Sequence, residues 1–328
     1  MDAGLAGRKA GFPNGDKTVR AMAKWLTALF FLLGTAGNGN SQALYRYEYQ
    51  HPQMGTLFRI VLYAEDSLRA YTAALDAFAR IDSLDAMLSD YREDSELSRL
   101  SARAGGEAWA PVSDELWFLL TTSKQIAILS DGAFDPTIGP LSKLWRKAFR
   151  QGEFPDTTAL RAAKEKVGYQ HLELHETQQM ARLAMAGMRL DLGGIAKGYA
   201  VDEAMAVLRQ HGLPIALVDG GGDLLGGEPP PGKEAWEIDI GKGIILPIVE
   251  RAVATSGDTY RYLEWQGLRY SHIINPRTGL GVTNGPKVTV LAPSCAIADV
   301  LASALSVNPA FRELIEGGMP RVDVLFME

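Results

Sequence analysis

Apolar side chains recur along this chain with two different spacings, and each spacing predicts a different kind of element. Between positions 67 and 88 they lie three or four residues apart, as on one face of a helix, at Leu68, Tyr71, Leu75, Phe78 and Leu84. Further helices are predicted over 114–129 and 157–167. Short β-rich runs predict strands at 57–63, 171–174, 188–192, 215–218, 236–240, 288–291 and 322–326. Because helices and strands mix without a regular βαβ rhythm, the pattern favours an α+β fold.

The first 43 residues are typical of a signal peptide. Arg20 and Lys24 precede the apolar run 25–33, and the small residues Ser41 and Ala43 suit a cut after Ala43. The run is shorter than the roughly 20 apolar residues that span a bilayer, and no later segment of the sequence approaches that length. Cleavage is therefore the favoured outcome, and retention as an uncleaved anchor in the inner membrane is the alternative.

Two details refine this prediction. Residues 1–21 are polar and glycine-rich, unlike the start of a signal peptide, so Met22 is an alternative first residue. No cysteine lies near the cut, which argues against a lipoprotein, and a single cysteine, Cys295, allows no internal disulfide. We expect an exported, periplasmic protein. The remainder, 44–328, contains no repeat and no long linker, and is expected to form one catalytic unit.

Composition and charge narrow the range of ligands. With 328 residues, 47% of them hydrophobic and 22% charged, the chain has the composition of an ordinary globular protein. Its formal net charge of −6 provides no basic field for a phosphate backbone, so we expect no nucleic-acid partner. A small anionic ligand would need local positive groups.

The densest motif runs from Leu190 to Asp202, LDLGGIAKGYAVD. Paired glycines let a backbone approach a ligand closely, and the free N–H groups at the start of a helix form a site for phosphate. Lys197 falls in that first turn, where the helix dipole disfavours a cation unless a bound pyrophosphate reverses the balance. The alternative is a strand-to-helix turn with a solvated lysine.

A second candidate is the predicted helix around ADVLASA, in which Asp299 and Ser303 are four residues apart and share one face. Their oxygens suit a hard cation, although two ligands are too few and further oxygens must complete the shell. The face lies opposite the apolar stripe of the helix. An ordinary solvated face therefore explains the same spacing.

A third cluster combines SGD at 256–258 with SHIINPRTG at 271–279. Asp258 or His272 could accept a proton as a general base. The alternative is a turn signature beside a hydrogen-bonded strand histidine. Three loops rich in glycine and acidic residues, 89–91, 131–141 and 219–223, are weak signals alone, and an aromatic side chain beside such a loop can stack on a flat ring.

Taken in order, six segments resemble the ApbE family, the FAD:protein FMN transferases: LSDYREDSELSRL, DGAFDPTIGPL, LDLGGIAKGYAVD, VATSGDTYRY, SHIINPRTG and ADVLASAL. The resemblance begins at Met54 and covers about 270 residues to the C-terminus. It implies an α+β fold with mixed, largely antiparallel sheets and packed helices, related to the T-fold.

The resemblance also implies a set of site residues. The flavin-contacting positions of the family fall on Met54, Tyr91, Ala133, Phe134, Asp135, Asp191, Lys197, Ile273 and Ile274. Its magnesium (Mg²⁺) site falls on the backbone carbonyl of Gly194 and the side chains of Asp299 and Ser303. Four positions depart from the usual pattern: Ser303 replaces threonine, Gly194 alanine, Asn275 aspartate and Thr259 tyrosine. Serine keeps the hydroxyl and glycine keeps the carbonyl, so coordination survives both changes.

The implied reaction is magnesium-dependent transfer of FMN from FAD, the substrate, to a threonine hydroxyl of another protein, with release of AMP. Lys197 would hold the diphosphate, and Asp258 or His272 would deprotonate the threonine. The expected acceptors are flavoprotein subunits of membrane or exported electron-transfer complexes. Two alternatives stay open: an FAD pyrophosphatase that releases FMN and AMP, and a non-catalytic periplasmic flavin-binding protein.

Overall fold

A seven-stranded antiparallel sheet forms the centre of the computed structural model, which describes residues 43–257, 262–283 and 285–327. The described strands are β1 (Tyr45–Gln53), β2 (Thr56–Ala64), β3 (Ala110–Pro111), β4 (Leu172–His175), β5 (Met180–Leu183), β6 (Ala216–Asp219), β7 (Leu224–Gly226), β8 (Trp236–Asp239), β9 (Ile245–Ile248), β10 (Arg251–Ser256), β11 (Tyr262–Trp265), β12 (Leu268–Ser271), β13 (Lys287–Ala292) and β14 (Asp323–Met327). The central sheet has the order β1-β2-β6-β7-β10-β13-β14, with every neighbouring pair antiparallel.

Helices cover one face of this sheet. The described helices are α1 (Ser67–Leu88), α2 (Glu96–Ala102), α3 (Asp114–Leu129), α4 (Gly139–Gln151), α5 (Thr157–Lys164), α6 (Ala196–Gln210), α7 (Cys295–Val307) and α8 (Arg312–Gly318). Side chains cap several of them: Asp66, Ser113 and Ser294 each accept a hydrogen bond from a backbone N–H of the first turn. α1, α6 and α7 pack side by side, and α7 lies against β10 and β13.

Both faces of the sheet are buried, which explains why its strands are so apolar. In β2, Ile60 and Leu62 point into the main core beneath the helices, whereas Val61 between them joins a second cluster on the opposite face. The hairpin of β8 and β9 covers that opposite face with Trp236 and Ile238. Alternate residues of one strand therefore supply two separate cores.

The predicted fold class, α+β with largely antiparallel sheets and packed helices, is confirmed. The helices predicted over 67–88 and 114–129 have the observed bounds, and the one predicted over 157–167 ends at Lys164. None of the helices in the described residues is long and apolar enough to cross a bilayer. Apart from Ala43, the predicted signal peptide lies outside the described residues and stays a prediction.

The strand predicted at 188–192 is wrong. This segment forms one isolated bridge, between Arg189 and Ile138, and otherwise bonds to helix ends and a loop. Leu190 N–H donates to Ser101 Oγ of α2 at 3.0 Å, and Asp191 N–H donates to the Pro136 carbonyl at 2.9 Å. Its apolar pattern reports burial, and burial outside a sheet produces the same pattern as burial in a sheet.

Candidate active site

One cleft of about 1840 Å³ brings together the predicted site residues from distant parts of the chain. Thirteen of the fourteen predicted positions line it: Met54, Tyr91, Ala133, Phe134, Asp135, Asp191, Gly194, Lys197, His272, Ile273, Ile274, Asp299 and Ser303. The fourteenth, Asp258, lies outside the described residues. The cleft is large enough for a dinucleotide, and its lining combines aromatic, glycine and charged positions.

Lys197 occupies the centre of a buried ionic group, which we call the Lys197 cluster: Lys197, Asp223 and Asp299. Lys197 Nζ pairs with Asp223 Oδ2 and lies 3.7 Å from Asp299 Oδ2. The two carboxylate side chains are only 6% and 8% exposed, whereas that of Lys197 is 31% exposed toward the cleft. A cation thus lies between two nearly buried carboxylates, with part of its surface free to meet a ligand.

The ionisation of this cluster follows from burial and charge. Burial, reinforced by the negative charge of Asp223 and opposed by Lys197, raises the pKa of Asp299 from 3.8 to about 7. Burial lowers the pKa of Lys197, but the charges of Asp223 and Asp299 outweigh it and raise that pKa above its ordinary value. Lys197 therefore stays cationic at any physiological pH, and a cation that binds Asp299 competes with a proton.

Close packing of α6 against α7 sets the geometry of the cluster. A Cβ on Gly198 would lie 2.3 Å from the Cys295 carbonyl oxygen, so only glycine permits this approach. Asp202, one turn further along α6, accepts hydrogen bonds from the N–H groups of Cys295 at 2.7 Å and Ala296 at 2.9 Å. These contacts fix the start of α7, and Gly198 N–H reaches Asp299 Oδ2 at 3.3 Å.

The three predicted magnesium ligands lie together and offer hard oxygen donors. A Cβ on Gly194 would stand 2.9 Å from Ser303 Oγ, which places the Gly194 backbone directly beside that hydroxyl. Asp299 is one helical turn before Ser303 on α7. Within the described residues no three His, Cys, Asp or Glu side chains form a metal-binding group. Carboxylate, hydroxyl and carbonyl oxygens are donors that suit magnesium, but three of them are too few to fill its coordination shell, so the described residues show no complete metal site.

The alternative of a solvated face does not hold for Asp299, which is only 6% exposed as a residue. α7 is enclosed between α6 and the sheet, and the alanines on its polar side leave room for α6 to approach. Helical spacing identified the apolar stripe correctly. It could not show that a second helix covers the other face.

A second ionic group carries an aromatic ring; we call it the Arg146 cluster: Asp90, Tyr91, Arg146 and Asp191. The Arg146 guanidinium pairs with Asp90 and, at 2.8 Å, with Asp191 Oδ2. Its Cζ lies 4.2 Å from the centroid of the Tyr91 ring, a cation–π contact. The other oxygen of Asp191 accepts from Gly193 N–H at 2.9 Å, which ties the cluster to the glycine motif. Tyr91 is 69% exposed.

The predicted segment 133–135 shapes the cleft through backbone and ring. Asp135 is buried, and its carboxylate accepts hydrogen bonds from Thr137 N–H at 2.8 Å, Thr137 Oγ1 at 2.7 Å and Tyr169 N–H at 2.9 Å. Burial raises its pKa despite these bonds. Asp135 thus holds the loop that presents Phe134, whose ring would lie 3.1 Å from a Cβ added at Gly194.

His272 and its neighbours Ile273 and Ile274 line a further part of the cleft. His272 is exposed and lines the cleft, while Ile273 and Ile274 are half-buried behind it. The turn predicted from Asn-Pro and Thr-Gly is confirmed, because Asn275 Oδ1 accepts from the N–H groups of Arg277 and Thr278. His272 therefore lines the cleft, where its imidazole is a candidate proton acceptor.

Sequence reasoning assigned no role to three charged residues of the two clusters: Asp90, Arg146 and Asp223. Asp90 and Asp223 lay within the loops 89–91 and 219–223, which carried a weak signal. Arg146 carried none, since it follows Trp145 on an amphipathic helix that also bears exposed cations. Its partners, Asp90 and Asp191, are 56 and 45 positions away, so only the folded chain identifies the cluster.

The sequence and the fold of this chain are both similar to those of known proteins. A model described as the ApbE family matches residues 54–326. The FAD:protein FMN transferase of Treponema pallidum (strain Nichols) is 33% identical over 322 residues, covering 90% of this chain and 88% of that protein. That of Vibrio cholerae serotype O1 (strain ATCC 39541 / Classical Ogawa 395 / O395) is 32% identical over 319 residues, covering 93% and 94%. The apo crystal structure of Pseudomonas stutzeri flavinyl transferase ApbE superposes with a TM-score of 0.76 at 31% identity, covering 86% of this chain and 91% of that one.

Proposed function

This chain belongs to the ApbE family, and we propose that it is an FAD:protein FMN transferase that depends on magnesium and attaches FMN to a threonine of an acceptor protein. The observation that carries the proposal is the Lys197 cluster. It places a partly exposed cation and hard oxygen donors beside the N-terminus of α6, in one cleft with the exposed ring of Tyr91. Phosphate-binding groups and a stacking surface in one cleft suit FAD.

In the proposed reaction the threonine Oγ attacks the phosphorus atom of the FMN portion of FAD. The new bond joins this oxygen to phosphorus, and the bond from phosphorus to the bridging oxygen breaks, so that AMP leaves with that oxygen. The hydroxyl proton passes to a base, for which His272 in the cleft and Asp258 are the candidates. The products are FMN in phosphoester linkage to the acceptor, and AMP.

Residues of this chain perform the binding and orientation. Lys197 holds the diphosphate, while Asp223 keeps the lysine charged and in place. The N–H groups of Ala196, Gly198 and Tyr199 at the start of α6 already have hydrogen-bond partners within the protein, so the expected phosphate site on free N–H groups is not part of this role. Asp299, Ser303 and the Gly194 carbonyl would hold magnesium, which when bound would neutralise negative charge on the diphosphate. The magnesium ion would allow a protein of net charge −6 to bind an anionic substrate.

A transfer assay tests the proposal. The protein is incubated with FAD, magnesium and an exported flavoprotein acceptor, and the acceptor is examined for a fluorescent, FMN-sized mass increase. Replacing the target threonine of the acceptor by alanine should abolish the increase, and EDTA should suppress it. Release of free FMN and AMP without modification of the acceptor would support the pyrophosphatase. Flavin binding without AMP release would support the binding protein.

We further propose that the protein is exported, with a mature N-terminus near Leu44, and modifies flavoprotein subunits of membrane or exported electron-transfer complexes. The small residues at positions 41 and 43 support this cut. Intact-mass analysis of exported protein should find a chain that begins at Leu44. A mass that includes residues 25–33 would instead indicate an uncleaved anchor in the inner membrane.

A further inference from the structure

Arg146 is a cation of the cleft that the proposed reaction does not use. Its side chain is only 24% exposed, and its two carboxylate partners, Asp90 and Asp191, are 11% and 9% exposed. Arg189 secures the loop that carries Asp90, because its Nη2 donates to the Asp90 carbonyl at 2.9 Å. A guanidinium that bridges two buried carboxylates has a fixed plane, since each partner occupies one of its nitrogen atoms.

This arrangement makes Arg146 a poor anchor for phosphate. The two carboxylates occupy two of the five N–H donors of the guanidinium, and their negative charges oppose the approach of a phosphate to the remaining donors. The face of the guanidinium is engaged by the Tyr91 ring at 4.2 Å. The two carboxylates therefore already compensate the charge of Arg146. The remaining role of its side chain is to support the Tyr91 ring that lies on it.

Tyr91 needs such support because it is exposed. A tyrosine side chain at 69% exposure would otherwise sample several rotamers, and a ligand that stacks on it would have to order it. Arg146 covers one face of the ring, and the ring keeps most of its surface exposed where it lines the cleft. Ordering the ring in the free protein removes that entropy loss from the binding step.

On the basis of the proposed function, we propose that Arg146 is a positioning residue: clamped by Asp90 and Asp191, it presents Tyr91 as a preformed stacking surface for the isoalloxazine ring of the flavin. Arg146 acts through Tyr91 and does not itself contact the flavin. Its loss should therefore weaken binding of FMN and FAD by the same factor and raise the KM for FAD, with little change in kcat.

A double-mutant cycle on FMN binding tests this role, with Arg146→Met, Tyr91→Ala and the double variant. FMN lacks the second phosphate and the adenosine, so its affinity reports the ring site. Arg146→Met should weaken FMN binding about fivefold, the scale of one cation–π contact. Added to Tyr91→Ala, it should weaken binding less than about twofold, because a positioning residue has nothing left to position. Fluorescence of bound FMN should be less quenched in Arg146→Met than in the wild type.

Arg150→Met is the matched control, since it removes an exposed arginine from the same helix and should leave FMN affinity unchanged. Thermal unfolding monitors the fold of each variant. If Arg146→Met is unfolded at the assay temperature, Asp90→Asn/Arg146→Met removes one of the two carboxylates that lose their cation and enters the same cycle. Unchanged FMN affinity in a folded Arg146→Met protein, or equal losses with and without Tyr91, would overturn the proposal.

The transfer assay on the wild type separates this inference from the proposed function. Normal FMN transfer together with an additive cycle would reject only the role of Arg146. A non-additive cycle in a protein that binds FMN but never modifies an acceptor would support that role and reject only the transferase assignment.

Discussion

The Lys197 cluster and the Arg146 cluster both place one cation between two acidic side chains, yet the cation differs. Lys197 carries a compact ammonium on a flexible stem and keeps 31% of its side chain exposed, so it can turn from Asp299 toward a ligand. Arg146 carries a planar fork that both carboxylates hold, and its face supports Tyr91. The same arrangement of charge thus leaves Lys197 able to bind a phosphate, whereas it holds Arg146 in a fixed position beneath the Tyr91 ring.

Of the substitutions in the Lys197 cluster, removal of the Asp299 carboxylate should have the largest effect on the rate of FMN transfer. Asp299→Ala should lower transfer on the order of a thousandfold, because the carboxylate is the one charged ligand proposed for magnesium. Ser303→Ala should mainly raise the magnesium concentration required, and Ser303→Thr should be tolerated. Steady-state rates at several magnesium concentrations measure this, with thermal unfolding as the check on folding. A folded Asp299→Ala protein with near-normal rate and magnesium dependence would contradict the metal assignment.

Lys197→Ala should weaken the binding of FAD more than the binding of FMN, which distinguishes the roles of the two clusters. FAD binding should weaken by between about tenfold and a hundredfold, the scale of hydrogen bonds to a charged group, while FMN binding should change less. The reason is that Lys197 is proposed to hold the diphosphate and Tyr91 the ring. Calorimetric titration with both flavins decides. Equal losses would place Lys197 away from the diphosphate.

Gly198→Ala should disturb the Lys197 cluster through packing alone. The added methyl would meet the Cys295 carbonyl at 2.3 Å and force α6 from α7, which should lower the free energy of unfolding by about 2 kcal/mol. The magnesium requirement should rise, while quenching of bound FMN at the Arg146 cluster should persist. Denaturant unfolding measures the first effect. Gly317→Ala in α8, with no atom within 4 Å of the new methyl, is the control and should not destabilise.

Acidification should weaken magnesium binding with a midpoint set by Asp299. The cation requires the ionised carboxylate, whose pKa in the metal-free protein is raised to about 7. From pH 8 to pH 6 the affinity should therefore fall about tenfold. The raised pKa of Asp299 has the opposite effect on folding. Between pH 4 and pH 7 the folded state binds more protons at Asp299 than the unfolded state does, so this carboxyl increases the free energy of unfolding as the pH falls. Magnesium titrations that give equal affinities at pH 6 and pH 8 would contradict the assignment.

Local sequence was sufficient for several of the regular elements and for the identity of many cleft residues. Helical spacing predicted α1 and α3 with their observed bounds, and polar caps begin both helices. The apolar face predicted for α1 is only partly right, because Leu68, Tyr71 and Leu75 are exposed, while alanines supply much of its buried face. The glycine motif at the start of α6 predicted a close approach of the backbone to a ligand, which stays a prediction; Gly198 and Gly194 instead show close packing against Cys295 and Ser303 of α7. Six motifs in order were specific enough to identify the family, because their residue types are tied to shared chemistry.

What packs against an element depends on contacts between distant residues, which local spacing does not report. Helical periodicity allowed a solvated Asp299, and only the packing of α6 on α7 buries that carboxylate and raises its pKa. Arg146 and Asp90 carried no common signal, yet folding brings them together across 56 positions. Segment 188–192 has the sequence of a strand because burial outside a sheet selects the same apolar residues as burial in a sheet. Ionisation and long-range pairing follow from three-dimensional neighbours, so they required the folded chain.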